Sequence, residues 1–217
     1  MKTFTKNIQS FILILGVVLV ATISTSAAKI YQGYIILNND NQLEGQIQML
    51  SPTLNEVKVK FILKDNKKKI FKAKEVKEYG FKVEKWNYKT RQHDINNITY
   101  VRQTVEKSPI AFGPKEVLIE RQVTGTINLY NHFVEQNSNV KQPFSHILYI
   151  QKGEKENLIS LTKRNYRIVL KGMTAEYPEL QVKVGSRGYG FKHVAKIIQT
   201  YNNWMLDNNE EIVIGMR

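Results

Sequence analysis

The stretch that decides the fold is Val57 to Lys64, with the sequence VKVKFILK. Apolar and basic residues alternate along it, and only Ile62 breaks the pattern. A period of two places the apolar side chains on one face of a β-strand and the lysines on the other. A turn at Lys64-Asp65-Asn66-Lys67 and a second basic strand at Lys68–Lys74 follow. The sequence therefore predicts a basic strand pair with one buried face.

Segments with strand character continue on both sides of this pair. Residues 31–37 and 42–50 are predicted to form a hairpin, because Asn38 to Asn41 tolerate the left-handed backbone of a turn. Further strands are predicted at Glu78–Lys85, Ile98–Val105, Val117–Gln122, Gly125–Phe133, Ile147–Gln151 and Leu158–Leu161. Many short strands with short connections are typical of antiparallel sheets, so we expect a β-rich body, a barrel or a sandwich, over residues 29–161.

The chain changes to a helical period after residue 161. Two short helices are predicted, one between the N-cap Thr162 and Gly172 and the other from Pro178 to near Gly185. A third, amphipathic helix carries an apolar stripe formed by Phe191, Val194, Ile198, Tyr201 and Met205. The residues predicted on its polar side are His193, Lys196, Gln199 and Asn202.

Such a stripe has to be buried, because packing rather than intrinsic propensity holds a short helix in water. It either packs on the protein's own sheet or forms an interface with another subunit. We favour the first arrangement, since an exposed stripe of that size promotes aggregation. Residues 162–217 are therefore predicted to form a helical segment packed on the body. The predicted fold class is α+β, with a mainly antiparallel β body followed by this short helical C-terminal segment.

Residues 1–28 have the three parts of a secretory signal peptide. Lys2 and Lys6 are followed by an apolar run from Phe11 to Ile23 and by small residues ahead of a cleavage site between Ala28 and Lys29. The alternative is a membrane anchor, but a spanning helix needs about 20 apolar residues and this run is shorter. We therefore expect an exported protein that is periplasmic or associated with the outer membrane, with an extracellular location left open.

The charge of the chain is basic and unevenly spread. Its 32 Lys and Arg and 19 Asp and Glu give a net charge of +13, and it has no cysteine, which excludes disulfides and thiolate chemistry. Most of the excess lies between Val57 and Gln92, where 13 basic residues accompany four acidic ones. The candidate anion-binding residues are Lys58, Lys60, Lys67, Lys68, Lys69, Lys72 and Trp86.

A basic face with aromatic residues suits phosphates, acidic glycans or the headgroups of anionic lipids. Nucleic acid is not expected as the partner of an exported protein. The alternative is a solvated lysine face that only prevents pairing at a sheet edge.

The histidines, the possible catalytic residues and the glycine-rich segments of the sequence predict no catalytic site, no cofactor and no metal centre. The histidines, His93, His132, His146 and His193, are scattered and lack metal-ligand spacing. A triad built from distant residues stays open, because triads are recognised by geometry. The glycine-rich Gly185–Gly190 is suited to hold a phosphate only if residues 180–184 form a strand. It lacks the order of a nucleotide-binding loop, so we favour a connection between two helices.

Five short motifs are spread along the predicted mature chain. They are GYI at 33–35, LEGQI at 43–47, EVKEYGF at 75–81, GTINLY at 125–130 and IIQTYN at 197–202. With the signal peptide and the basic strand pair, they resemble a loose class of exported β-rich proteins of the Bacteroidota. The resemblance implies a periplasmic or envelope-associated protein, and it implies no catalytic residues.

The sequence favours binding over chemistry, because it contains no tight constellation of carboxylates, histidines or serines. We expect an exported, envelope-associated, non-catalytic binding or structural protein with a basic β face. Its partner is expected to be an anionic envelope component, either a lipid headgroup or an acidic glycan, or another envelope protein. Two alternatives stay open: a hydrolase acting on envelope polymers, and an accessory subunit of an outer-membrane assembly that docks through its helical segment.

Overall fold

The computed structural model describes residues 28–136, 144–153 and 156–215, with side chains up to residue 208. The predicted signal peptide lies outside these residues except for its last position. The described helices include none that is long and apolar enough to cross a membrane.

The described β-strands form one antiparallel sheet. The strands are β1 (Ile30–Leu37), β2 (Gln42–Gln48), β3 (Lys58–Ile62), β4 (Lys68–Lys72), β5 (Val76–Asn87), β6 (Gln92–Thr104), β7 (Glu116–Val123), β8 (Ile127–Glu135), β9 (Phe144–Lys152) and β10 (Ile159–Leu161). Their order is β10-β9-β8-β7-β6-β5-β1-β2-β3-β4. The predicted α+β class with its antiparallel β body is confirmed, in the form of a single open sheet that does not close into a barrel.

Four α-helices accompany the sheet in the described part of the chain. They are α1 (Pro52–Val57), α2 (Tyr166–Met173), α3 (Pro178–Lys183) and α4 (Val194–Gly215). Because Leu180 to Lys183 is helical and Gly185 adopts a φ of 95°, the glycine-rich segment joins two helices. The alternative that it follows a strand and forms a phosphate loop is wrong.

Helix α1 is the element that the sequence analysis missed. Ser51 caps it by accepting the N–H of Leu54 on its Oγ at 3.4 Å, and Pro52 begins it. The helix contacts β7 and β8, whose ladder ends at the pair Glu120–Asn131 although both strands continue beyond it. The helix therefore lies against β7 and β8 where the two strands no longer pair with each other.

Three clusters of buried side chains form the core. One cluster lies between β8, β9 and helices α2–α4, and it includes Leu129, Ile150 and Ile198. A second lies on one face of β1–β7, where Tyr79 of β5 stacks on Tyr100 of β6 at 4.7 Å between ring centroids. The third lies along β7–β9. The opposite face of strands β1–β6, here called the open face, carries mostly exposed or half-buried polar side chains.

Candidate functional site

Four of the candidate lysines share the open face at one edge of the sheet. Strand register places Lys58 opposite Lys72 and Ile62 opposite Lys68, and Lys60 lies between Lys58 and Ile62 on the same face. Within the described part of the chain, none of the four ammonium groups forms an ion pair. Lys58, Lys60, Lys68 and Lys72, which we call the lysine face, therefore present uncompensated positive charge.

The structure separates the other three candidates from the lysine face. Lys69 pairs with Phe61 on the opposite side of the sheet, and its Nζ lies 4.6 Å from the centroid of the Phe71 ring. Lys67 lies in the turn before β4 and forms an ion pair with Asp65 at 2.8 Å. Trp86 lies on β5, beyond the residues that pair with β1, and is 46% exposed. The seven predicted residues thus do not form one patch.

A groove of about 780 Å³ lies on the open face beside the lysine face. Its polar lining, which sequence reasoning did not identify, comes mainly from Gln32, Tyr34, Gln42, Glu44, Gln46, Lys82, Asn97 and Thr99. We call it the amide groove, because amide side chains predominate among these groups. Strand register brings them together: Gln32 lies opposite Gln46, and Lys82 lies opposite Asn97.

The amide groups in this groove are free to bind. The side chains of Gln32, Gln42 and Asn97 are exposed, and that of Gln46 is half-buried. None of the four makes a hydrogen bond with another residue that the structure describes. An amide both donates and accepts hydrogen bonds, so the groove offers paired donors and acceptors to a ligand.

Tyr34 supplies a flat ring held against the backbone. A Cβ on Gly80 would lie 2.7 Å from Cε1 of this ring, so the ring rests directly on the glycine. The phenol donates to Glu78 Oε1 at 2.6 Å, and Glu78 Oε2 accepts from Arg121 at 3.1 Å. Burial and the hydrogen bond to Glu78 raise the pKa of Tyr34 to about 12. The phenol therefore stays protonated, and its hydrogen bond to Glu78 and the contact with Gly80 hold the ring in place.

The lining of the groove contains one acidic side chain. Glu44 is the one carboxylate in its lining, and it forms an ion pair with Lys64 at 3.3 Å. Glycoside hydrolysis generally uses two carboxyl groups on either side of the scissile bond. In the described ranges, no three of His, Asp and Glu lie where they could hold a metal ion.

A second polar arrangement is buried under α1. Glu56 Oε2 lies 2.6 Å from His132 Nδ1, and both side chains are fully buried. The other ring nitrogen lies 2.7 Å from the carbonyl oxygen of Lys107, and Glu56 Oε1 accepts the N–H of Phe133 at 2.8 Å. Glu56 belongs to α1 and His132 to β8, so this buried contact holds the helix against the strand. The sequence separates the two residues widely and gives no signal for their contact.

The apolar stripe of α4 and of the turn before it lies in the protein's own core. Val194, Ile198 and Tyr201 are buried, while Phe191 and Met205 pack against the same cluster. The three buried side chains are thus not available to a partner subunit.

The prediction that Asn202 lies on the polar side of α4 is wrong. It follows Ile198 by one helical turn and is 4% exposed. Its amide accepts the N–H of Ile127 at 2.9 Å and donates to the carbonyl of the same residue at 2.8 Å. A polar side chain therefore occupies a core position because it completes the backbone hydrogen bonds at the start of β8.

Comparison of the chain with protein-family models, with curated proteins and with solved structures gives no significant match. The resemblance to exported proteins of the Bacteroidota therefore stays a prediction. A function for this chain has to be argued from the geometry and charge of its own site, since a fold by itself does not imply one.

Proposed function

We propose that this is an exported, envelope-associated, non-catalytic binding protein that holds an anionic component of the envelope on its lysine face. The observation that carries the proposal is the arrangement of Lys58, Lys60, Lys68 and Lys72. They lie on one side of an edge strand pair, and no acidic side chain of the described residues neutralises them. Like charges concentrated in this way attract a polyanion more strongly than the same charges dispersed.

The neighbouring amide groove supports a binding role. It adjoins the lysine face, because Ile62 lines the groove and pairs with Lys68. A ligand attracted by the lysines therefore meets free hydrogen-bonding groups next to them. The alternative, a solvated lysine face that only prevents pairing at the sheet edge, does not require an adjacent groove of unpaired amides.

The first prediction concerns the lysine face. Replacing Lys58, Lys60, Lys68 and Lys72 together with Gln should weaken binding to polygalacturonate or to phosphatidylglycerol vesicles by about tenfold or more. This follows because each exposed charge contact contributes about 0.2–1 kcal/mol. Binding is measured by titration calorimetry or vesicle sedimentation, and circular dichroism checks the fold.

A matched control removes the same charge elsewhere. It replaces four exposed lysines of the helical segment with Gln: Lys163, Lys171, Lys183 and Lys192. A second control, Lys67→Gln with Lys69→Gln, removes lysines that the structure separates from the lysine face. Equal losses in the two quadruple variants, with about half that loss of binding free energy in the double variant, would show that only net charge matters. The absence of binding by the parent protein would refute the proposal.

A further inference from the structure

We infer that the amide groove binds an acidic glycan, whose chain runs across the strands over the ring of Tyr34 with its acidic groups directed at the lysines at the two ends. The inference rests on the proposed function, because the lysine face supplies part of the charge. It goes further by assigning the ligand to polysaccharides and by assigning the contacts to amides and one aromatic ring.

The groove extends across several strands of the sheet. Cross-strand pairs run in line through it, Ile62 with Gln46 and Gln46 with Gln32, and Lys82 with Asn97 further along. The line crosses five strands, β3, β2, β1, β5 and β6, which at about 4.8 Å between strands amounts to about 19 Å. An amide groove that extends over this distance accommodates a short run of sugar rings.

The chemistry of the lining matches sugar hydroxyls. A hydroxyl both donates and accepts a hydrogen bond, as does a Gln or Asn amide. The unpaired amides of Gln32, Gln46 and Asn97 line the groove, and the ring of Tyr34 lies among them against Gly80. A flat aromatic face packs against the apolar face of a pyranose ring. Both contacts are made without any catalytic group.

Charge at the two ends selects an acidic chain. Lys82 lines one end and forms no ion pair with any residue that the structure describes. At the other end, Lys68 lies opposite Ile62, and Lys60 is its neighbour on the same face. The one carboxylate in the lining, Glu44, forms an ion pair with Lys64 at 3.3 Å. A chain with an acid group toward each end is complementary to this pattern.

Peptides and membranes fit the groove less well. An extended peptide pairs with the backbone at a sheet edge, whereas the groove lies on a face whose strands β1, β2, β5 and β6 already pair on both sides. A membrane-inserting surface needs an extended apolar face. Among the residues of β3 and β4, which carry the lysine face, the one exposed large apolar side chain is Ile70.

The test uses the chain from Lys29 and a panel of probes. The glycans are oligogalacturonides from disaccharide to octasaccharide, together with alginate and hyaluronan. Poly-L-glutamate supplies acid groups without sugar rings, dextran supplies sugar rings without charge, and phosphatidylglycerol vesicles supply a lipid surface. Affinities are measured by titration calorimetry. We expect at least one acidic glycan to bind about tenfold more tightly than poly-L-glutamate or dextran.

Two groove variants identify the contacts. Replacing Gln32 and Gln46 with Ala should weaken glycan binding about tenfold, because two hydrogen bonds are lost, and should leave poly-L-glutamate binding unchanged. The matched control replaces Gln122 and Gln199, both exposed outside the groove. Tyr34→Phe keeps the ring and should retain glycan affinity, whereas Tyr34→Leu should lose it. Thermal unfolding checks that each variant folds.

The outcomes separate this inference from the proposed function. If poly-L-glutamate or the vesicles bind as tightly as every glycan and the glutamine variant changes nothing, the groove inference is overturned. The proposed function stands in that case, provided that the quadruple lysine variant still loses binding. If no probe binds the parent protein, both are refuted.

Discussion

The buried pair of Glu56 and His132 makes stability depend on pH at the scale of single residues. Burial raises the pKa of the Glu56 carboxyl from 4.5 to about 7, against the hydrogen bond and charge of His132, which lower it. The folded protein therefore keeps this proton over a pH range in which the unfolded chain has released it. The stability contributed by this group is present in full below about 4.5 and is lost as the pH rises through about 7.

Substituting Glu56 tests this linkage. Glu56→Gln keeps an oxygen that accepts from Phe133 and an amide that donates to His132, and it does not titrate. We expect its free energy of unfolding to change less than that of the parent between pH 4.5 and about 7, measured by chemical denaturation. Glu179→Gln is the control, because this exposed carboxylate of α3 is not among the groups that act on Glu56, and it should leave the pH profile of the parent unchanged. Parallel pH profiles of parent and Glu56→Gln would contradict the assignment.

A single-residue truncation at the same site has a different signature. Glu56→Ala leaves Phe133 N–H and the imidazole of His132 without their partner in the interior. We expect a loss of about 1–3 kcal/mol for each unsatisfied group. This loss should be present at every pH, in addition to the pH-dependent difference from the parent that both variants share because neither titrates at position 56. Urea unfolding at several pH values separates the two parts.

The lysine face illustrates what the sequence predicts at residue level. Lys58 and Lys60 alternate with Val59 and Phe61, so their shared face follows from the period of two. The run Lys67-Lys68-Lys69 contains no alternation, and which of its members joins the face depends on the register of β4 against β3. Register is set by the turn and by Phe71 in the core, which composition does not convey.

At the scale of elements, helix α4 is expected to stabilise the fold through one apolar and one polar contact. Ile198→Ala should lower the free energy of unfolding by about 2–5 kcal/mol, because Ile198 is fully buried. Asn202→Ala should cost about 1–3 kcal/mol, because the backbone of Ile127 loses its partner. The exposed Gln199→Ala is the control and should stay within about 0.5 kcal/mol. Denaturant unfolding measures all three, and an unchanged midpoint for Ile198→Ala would contradict the core assignment.

Elements with a long periodic pattern are the ones that the sequence predicts. The β1–β2 hairpin and the helical end follow from apolar periodicity, because each buries one face. Helix α1 has six residues, too few to show a helical period. Its signals in the sequence are the cap Ser51 and the proline at its start, and the same residue types also occur in turns between strands. The sequence places the polar Asn202 on the polar side of α4. Its burial depends on hydrogen bonds to the backbone of Ile127, which the helical pattern does not show.

At the scale of the whole molecule, the groove depends on the order of the strands. Strand β5 lies next to β1, so residues near position 32 meet residues near position 82 and position 97. Hairpin connections alone do not predict that neighbour, since β1 and β5 are separated by three other strands in the chain. The charge excess between Val57 and Gln92 was visible in the sequence. The polar groove beside it was not, because its walls come from strands distant in sequence.

Salt dependence is the property of the whole charge distribution that tests the binding surface. Exposed charges are screened over about 30 Å at 0.01 M and about 8 Å at 0.15 M ionic strength. We therefore expect the affinity for polygalacturonate to fall by about tenfold or more over this range, and the quadruple lysine variant to lose most of that dependence. Hydrogen bonds in the amide groove are not screened in this way, so the Gln32→Ala, Gln46→Ala variant should bind more weakly with the slope of the parent. Calorimetric titrations at several salt concentrations give both slopes. If the lysine variant kept the parent's slope, attraction would arise from charges elsewhere on the protein, and the lysine face would be only a solvated sheet edge.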